Sequence, residues 1–181
     1  MPHINLNNDQ PGILSLFAYN PATAGVLNDV AQVLLRGSSS LEEYERELIA
    51  SYVSHLNKCN FCFHSHAAAT DALFGDARLT ADPARMEELG ELRPKLRSLL
   101  AVAAKVQQSG LAVTSDDISQ AKLAGASDKE IHDTVLIAAA FCMYNRYVDG
   151  LNTISSQQKK DYVEVGEKLA KEGYRHHEFA V

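Results

Sequence analysis

The 181-residue sequence has few cysteines, no surplus of basic residues and no long apolar run. Three cysteines are too few for a disulfide scaffold. The net charge of −6 argues against nucleic acid or an anionic membrane as a partner. The longest apolar run, Val135 to Tyr144, is shorter than the roughly 20 residues that cross a bilayer. What remains is the composition of an ordinary globular protein.

The N-terminal residues do not have the pattern of a secretory signal, in which a basic segment is followed by an apolar core. We therefore expect a cytoplasmic, reducing location. In such a compartment a lone Cys-x-x-Cys is seldom a permanent disulfide, so the motif indicates redox chemistry or metal binding.

Strand patterns are missing as well, since no stretch alternates apolar and polar residues for long enough to require one. The sequence predicts an all-α bundle of two helical hairpins in a single domain, residues 1–181. Its predicted parts are an N-terminal arm and helix over 1–40, a core over 41–154, and a C-terminal helix and tail over 155–181. Helices are predicted at 22–35, 41–56, 59–74, 95–108, 115–124, 128–149 and 155–171, with an irregular arm over 1–20 and a loop over 76–93.

Capping patterns set several of the predicted helix starts. Ser40 with Glu43 reads as a capping box that would open a helix at Leu41. Ser127 with Glu130 reads in the same way for the long apolar helix.

The most informative motif is Cys59-x-x-Cys62-x-x-x-His66. If Cys59 lies in the first turn of a helix, all three side chains share one face. The two Cα atoms are then about 5 to 6 Å apart, within the span of a disulfide. The positive end of the helix favours thiolate over thiol, and His66 can take or relay the proton of Cys62.

Glu47 is a third candidate member of this group. If the chain reverses near Asn57, Glu47 lies ten residues before the turn and His66 nine residues after it. Equal offsets meet at equal height in an antiparallel helical pair. Glu47 is therefore predicted to face His66, fixing its tautomer and raising its basicity.

Other readings of the polar residues compete with this one. Inert core cysteines or a zinc site are the alternatives for the Cys-x-x-Cys pair, but Cys59 and His66 lie about 10 Å apart along a helix, too far for one ion. Cys142 is interpreted as a small core residue. His64 is interpreted as a partner or surface histidine, and His55 could come near the pair. Asn145, Arg146 and Asp149 end the long apolar helix, where a cation suits the helix dipole.

These residues resemble a known family. Glu47 lies twelve positions before Cys59, which begins the Cys-x-x-Cys-x-x-x-His motif. This combination resembles that of the AhpD-like alkylhydroperoxidases, which belong to the carboxymuconolactone decarboxylase superfamily. Residues 141–151 also look like the second half of the peroxidase-related branch, and the resemblance covers roughly residues 40 to 155. It implies an all-α fold that assembles as trimers or hexamers. It also implies that Cys62 attacks a peroxide, that Cys59 resolves the product, and that Glu47 and His66 relay protons.

The expected function is a thiol-dependent peroxidase that reduces organic hydroperoxides, with no metal or other cofactor. Its expected partners are a small hydroperoxide, a dithiol reductant and further copies of the chain. The alternatives are a disulfide reductase or redox adaptor of the same fold, a decarboxylase-like enzyme of the superfamily, and a helical oligomer whose disulfide controls assembly. Some relatives have a histidine where this chain has Phe61, so His55 or a water molecule is expected to replace it.

Overall fold

The computed structural model of the chain describes residues 1–75, 93–156 and 158–174. All regular structure in these segments is helical, which confirms the all-α prediction. The α-helices are α1 Ile13–Tyr19, α2 Pro21–Arg36, α3 Glu43–Leu56, α4 Asn60–Phe74, α5 Pro94–Gln108, α6 Ser115–Leu123, α7 Asp128–Gly150 and α8 Val163–Glu172. Short 3₁₀ turns cover Gly110–Ala112 and Lys159–Tyr162.

The first helical hairpin begins two residues later than predicted. The capping box is formed by Glu42 and Glu45, because the Glu42 side chain accepts from the backbone of Glu45 and the Glu45 carboxylate accepts from the Glu42 N–H at 2.9 Å. Ser40 therefore lies outside the helix, and the predicted box with Glu43 is wrong. The box of Ser127 and Glu130 at the start of α7 is present as predicted.

The C-terminal helix also begins later than predicted, at Val163 rather than near Ser155. The chain before it is held by tertiary hydrogen bonds, since the Ser156 carbonyl accepts from Asn60 Nδ2 at 2.6 Å and from the Tyr162 hydroxyl at 2.8 Å. The predicted loop over 76–93 lies outside the described residues except for Arg93. The tail lies outside them beyond residue 174.

The N-terminal arm is an ordered part of the molecule, and its description as irregular is wrong for α1. Leu6 and Leu16 are buried, and the Gly12 N–H donates to the Ile154 carbonyl at 2.8 Å. Gly12 has φ +54°, and a Cβ there would lie 2.2 Å from the ring of Phe61. Only glycine lets the arm approach the first turn of α4 this closely.

Helix α3 is the centre of the bundle and packs against α4, α5 and α7. The main buried core lies among α2, α3, α5 and α7, and a smaller apolar cluster surrounds the start of α4. Helix α8 crosses α4 at Gly166, where a Cβ would lie 2.4 Å from the Ala68 backbone. None of the helices in the described segments has both the length and the apolar character needed to cross a membrane.

Candidate active site

The two motif cysteines lie at the start of α4 as free, buried thiols. Cys59 is the N-cap residue, one position before the predicted first turn, and Cys62 is inside that turn. The tight connection from α3 places the cap there: Lys58 has φ +61°, and the Cys59 N–H donates to the Ser54 carbonyl at 3.0 Å. The motif therefore begins at the positive end of the helix, as predicted.

The two cysteine side chains lie near each other. A hydrogen bond between the Cys59 and Cys62 side chains raises the pKa of Cys59, and burial raises it further. At Cys59 these effects act against the expected influence of the helix end, which favours thiolate over thiol. Cys59 is therefore a buried thiol whose loss of a proton is disfavoured.

Glu47 and His66 meet as the hairpin offsets predict. Glu47 Oε2 lies 2.7 Å from His66 Nδ1, and the Glu47 side chain has no exposed surface. With its proton on Nδ1, His66 donates to the carboxylate and keeps Nε2 as the basic nitrogen. The contact thus supplies the tautomer that a proton acceptor needs.

Two residues that the sequence analysis did not single out complete the surroundings of Glu47. Arg36 Nη2 donates to Glu47 Oε1 at 2.7 Å, and the Tyr174 hydroxyl donates to the same oxygen at 2.6 Å. The Tyr174 oxygen also lies 3.2 Å from His66 Nδ1, and the two rings stack with centroids 6.0 Å apart. Because Arg36 ends α2 and Tyr174 follows α8, no local pattern in the sequence links them to α3.

This set of donors determines the charge of Glu47. Burial alone would raise the pKa of the carboxyl, but His66, Arg36 and Tyr174 outweigh it and lower the pKa below its usual value. Burial and the neighbouring Glu47 carboxylate raise the pKa of the Tyr174 phenol well above its usual value. Glu47 is therefore a buried, ionised acceptor, and Tyr174 is a neutral donor.

Tyr174 is held at its backbone as well as at its hydroxyl. Gly173 turns the chain after α8 with φ +69°, and the Tyr174 N–H then donates to Gln32 Oε1 at 2.7 Å. The guanidinium of Arg36 lies 5.3 Å from the centre of the Tyr174 ring. The His55 ring packs on Phe63, whereas the Tyr174 hydroxyl lies beside His66. Whether His55 or a water molecule replaces the relay histidine stays a prediction.

Hydrogen bonds connect the C-terminal part of α7 to the first helical hairpin. Cys142 is buried in the main core, as predicted, and Asn57 Nδ2 donates to its sulfur at 3.6 Å. Asn145 is also buried, accepts from Asn57 at 2.8 Å and donates to Ser54 Oγ at 3.0 Å. Arg146 donates to the Cys142 carbonyl. These bonds tie α7 to the turn that precedes the cysteine pair.

His64 and Asp149 lie near the motif without joining the Glu47 group. The His64 ring packs on Phe63 and Tyr162, and burial followed by the charge of Lys159 lowers its pKa. Burial raises the pKa of Asp149, and a hydrogen bond from Cys59 opposes that shift.

A cavity of about 530 Å³ opens beside the motif. One side of the cavity is formed by α4, through Phe61, Cys62, Ser65 and His66. Cys59 is not among the described residues that border it. The other walls come from α1, α2, α7 and α8 and from Tyr174. Their side chains are Ile13, Leu14, Phe17, Ala18, Leu27, Asn28, Ala31, Phe141, Tyr144, Val165, Lys168 and Leu169, with Gln10 before α1.

Comparison with solved structures finds similar folds. An uncharacterized peroxidase-related protein from Silicibacter sp. TM1040 has a TM-score of 0.75 and 27% sequence identity, over 84% of this chain and 78% of that chain. The alkylhydroperoxidase AhpD core of an uncharacterized peroxidase-related protein from Ralstonia eutropha JMP134 has a TM-score of 0.73 and 21% identity, over 87% and 81%. No protein-family model matches the sequence, and no curated protein matches it. The predicted resemblance is confirmed at the level of this fold.

Proposed function

We propose, from the AhpD-like, peroxidase-related fold of this chain, that it is a thiol-dependent peroxidase that reduces organic hydroperoxides. The supporting observation is that Cys62 and His66 border one cavity while Glu47 holds His66 Nδ1 at 2.7 Å. A nucleophile and an oriented base facing the same space are the arrangement that activates a cysteine.

The first step oxidises Cys62. His66 Nε2 accepts the Cys62 proton, and the thiolate attacks one oxygen of the hydroperoxide, breaking the O–O bond. The sulfur gains that oxygen as a sulfenic acid, and the proton completes the departing alcohol. Glu47 stays ionised and stabilises the imidazolium that forms between these two transfers.

The second step closes the disulfide. Cys59 is hydrogen-bonded to Cys62 and brings its own proton, because its pKa is raised. As its sulfur attacks that of Cys62, the S–O bond of the sulfenic acid breaks, and the Cys59 proton leaves with the hydroxyl group as water. An external dithiol then returns both to thiols by exchange. The cycle as written uses only these two sulfurs and the external thiols.

The wider setting follows from the same proposal. A cycle that ends with reduction by a dithiol belongs in a reducing compartment, so we place the protein in the cytoplasm. The single domain 1–181 and assembly as a trimer or hexamer stay predictions. Gel filtration of the full chain measures the second of these.

Turnover of cumene hydroperoxide with excess dithiothreitol tests the function. Cys62→Ser should abolish turnover, Cys59→Ser should leave a sulfenic acid that a dimedone probe traps, and Cys142→Ser should behave as the parent protein. Cys142 is a matched control because it is also buried but lies in the main core. Full peroxide turnover by Cys62→Ser would remove the assignment. A parent protein that reduces a small disulfide quickly but peroxide no faster than free thiol would be the reductase instead.

A further inference from the structure

The cavity beside Cys62 is much larger than a peroxide group. Its volume is about 530 Å³, within the roughly 300 to 1,000 Å³ of sites that enclose small organic ligands. Hydrogen peroxide has two heavy atoms and would leave most of this space to water. The apolar walls from α1, α2 and α7 suit a hydrocarbon body.

The side of the cavity formed by α4 contains an unpaired polar group. Ser65 borders the cavity and is 3% exposed, and its hydroxyl oxygen has no hydrogen-bond partner within the described residues. Buried hydroxyl groups are nearly always hydrogen-bonded to protein or to water, so the Ser65 hydroxyl is free to bond a water molecule or a ligand oxygen in the cavity. Ser65 shares a helix face with Cys62 and His66, and all three border the cavity. The proposed attack requires the peroxide oxygens to lie against this face.

The wall formed by α8 contributes a cation. Lys168 borders the cavity and is exposed, and no ion pair of Lys168 occurs in the segments that the structure describes. Its stem can lie along the apolar wall while its ammonium group stays at the surface. The other polar side chains that border the cavity away from α4, such as Gln10 and Asn28, are uncharged. A ligand with a negative group at this edge would meet a positive charge.

We propose that the substrate is an amphipathic hydroperoxide with an apolar body and an anionic head group. The body fills the apolar cavity, Lys168 binds the head group, and Ser65 hydrogen-bonds the peroxide beside Cys62. The inference rests on the proposed function for its chemistry, and the head group is unchanged by the reaction. A carboxylate and a phosphate ester both satisfy Lys168, so the experiment includes one of each.

Two hydroperoxides that differ only at the head group provide the kinetic test. The parent protein should show a KM for linoleic acid hydroperoxide about fivefold lower than for its methyl ester, the scale of a partly exposed ion pair. Lys168→Ala should remove that difference by raising the KM for the acid toward that for the ester. Lys171→Ala, an exposed lysine of α8 that does not border the cavity, should retain it. Equal KM values in the parent protein, or a preference that survives Lys168→Ala, would overturn the proposal.

A binding test separates this inference from the peroxidase itself. Calorimetry with lauric acid, dodecyl phosphate and methyl laurate requires no turnover, and a bound ligand should slow alkylation of Cys62. Tighter binding of either anion than of the ester, lost in Lys168→Ala, supports the anionic head group, and the tighter anion identifies it. Anion binding without any peroxide turnover would refute the proposed function alone. Peroxide turnover with equal binding of all three ligands would refute the ligand class alone.

Discussion

Replacement of Tyr174 by phenylalanine removes one of the hydrogen-bond donors to the buried Glu47 carboxylate. The hydroxyl donates to Glu47 Oε1 at 2.6 Å and lies 3.2 Å from His66 Nδ1. The ring, its stacking on His66 and its backbone bond to Gln32 do not depend on that oxygen. The variant therefore tests the hydrogen bond rather than the packing.

The expected loss follows from the charge of the acceptor. A hydrogen bond to an ionised group contributes about 1.5 to 3 kcal/mol, against about 0.5 to 1.5 for a neutral pair. Tyr174→Phe should therefore lower the free energy of unfolding by about 2 kcal/mol. If the activation free energy for alkylation of Cys62 rose by a similar amount because His66 was less well positioned, alkylation would slow by roughly tenfold or more, since about 1.4 kcal/mol is a factor of ten.

Urea unfolding and the rate of Cys62 alkylation against pH measure the two effects without any peroxide. The matched control is Tyr162→Phe, which removes a buried hydroxyl that donates to a neutral carbonyl, that of Ser156, at 2.8 Å. It should cost about 1 kcal/mol and shift the pH profile of alkylation less than Tyr174→Phe does, since it has no bond to Glu47 or His66 among the described residues. If the two variants had equal stabilities and the same pH profile, Tyr174 would be a packing residue only.

Two further substitutions test the buried charges and the arm. Glu47→Gln removes the buried carboxylate 2.7 Å from Arg36 and leaves that residue only its longer ion pair with Glu43, at 3.5 Å, among the described residues. The loss in urea unfolding should be about 3 kcal/mol, the lower end for a broken buried ion pair. The pKa of Glu47 is lower in the folded state, so its ionisation stabilises the fold above the unfolded pKa, and this stability is lost as pH falls through the folded pKa. The free energy of unfolding should therefore decline less steeply in acid for Glu47→Gln than for the parent protein. An equally steep decline would contradict this. Gly12→Ala should cost about 1 to 3 kcal/mol, since its Cβ meets the Phe61 ring. Gly110→Ala, where a Cβ meets nothing within 4 Å, is the neutral control, and equal losses would exclude the close approach.

The contact between Glu47 and His66 was predictable because it depends on local geometry alone. Both residues belong to one helical hairpin, and their offsets from Asn57 fix their relative heights. Arg36 and Tyr174 were not predictable in this way. They come from α2 and from the segment after α8, and their approach to Glu47 depends on how those helices pack on the hairpin.

Helix starts were less predictable than helix ends, for a physical reason. Gly75 ends α4 in the left-handed conformation, which glycine adopts without strain. At the start of α3, by contrast, Ser40 and Glu42 both offered a side chain that could cap, and the sequence pattern favoured the wrong one. Near Ser156 the backbone carbonyl is already used by Asn60 and Tyr162, and no local pattern shows that competition.

The position of Tyr174 gives the order of synthesis a chemical consequence. A nascent chain that has been made only through α7 already contains both thiols, His66 and Glu47, but lacks the phenol that donates to Glu47. The hydrogen bonding around Glu47 is therefore complete only once α8 has docked, so the arrangement that the proposed function requires forms late in synthesis.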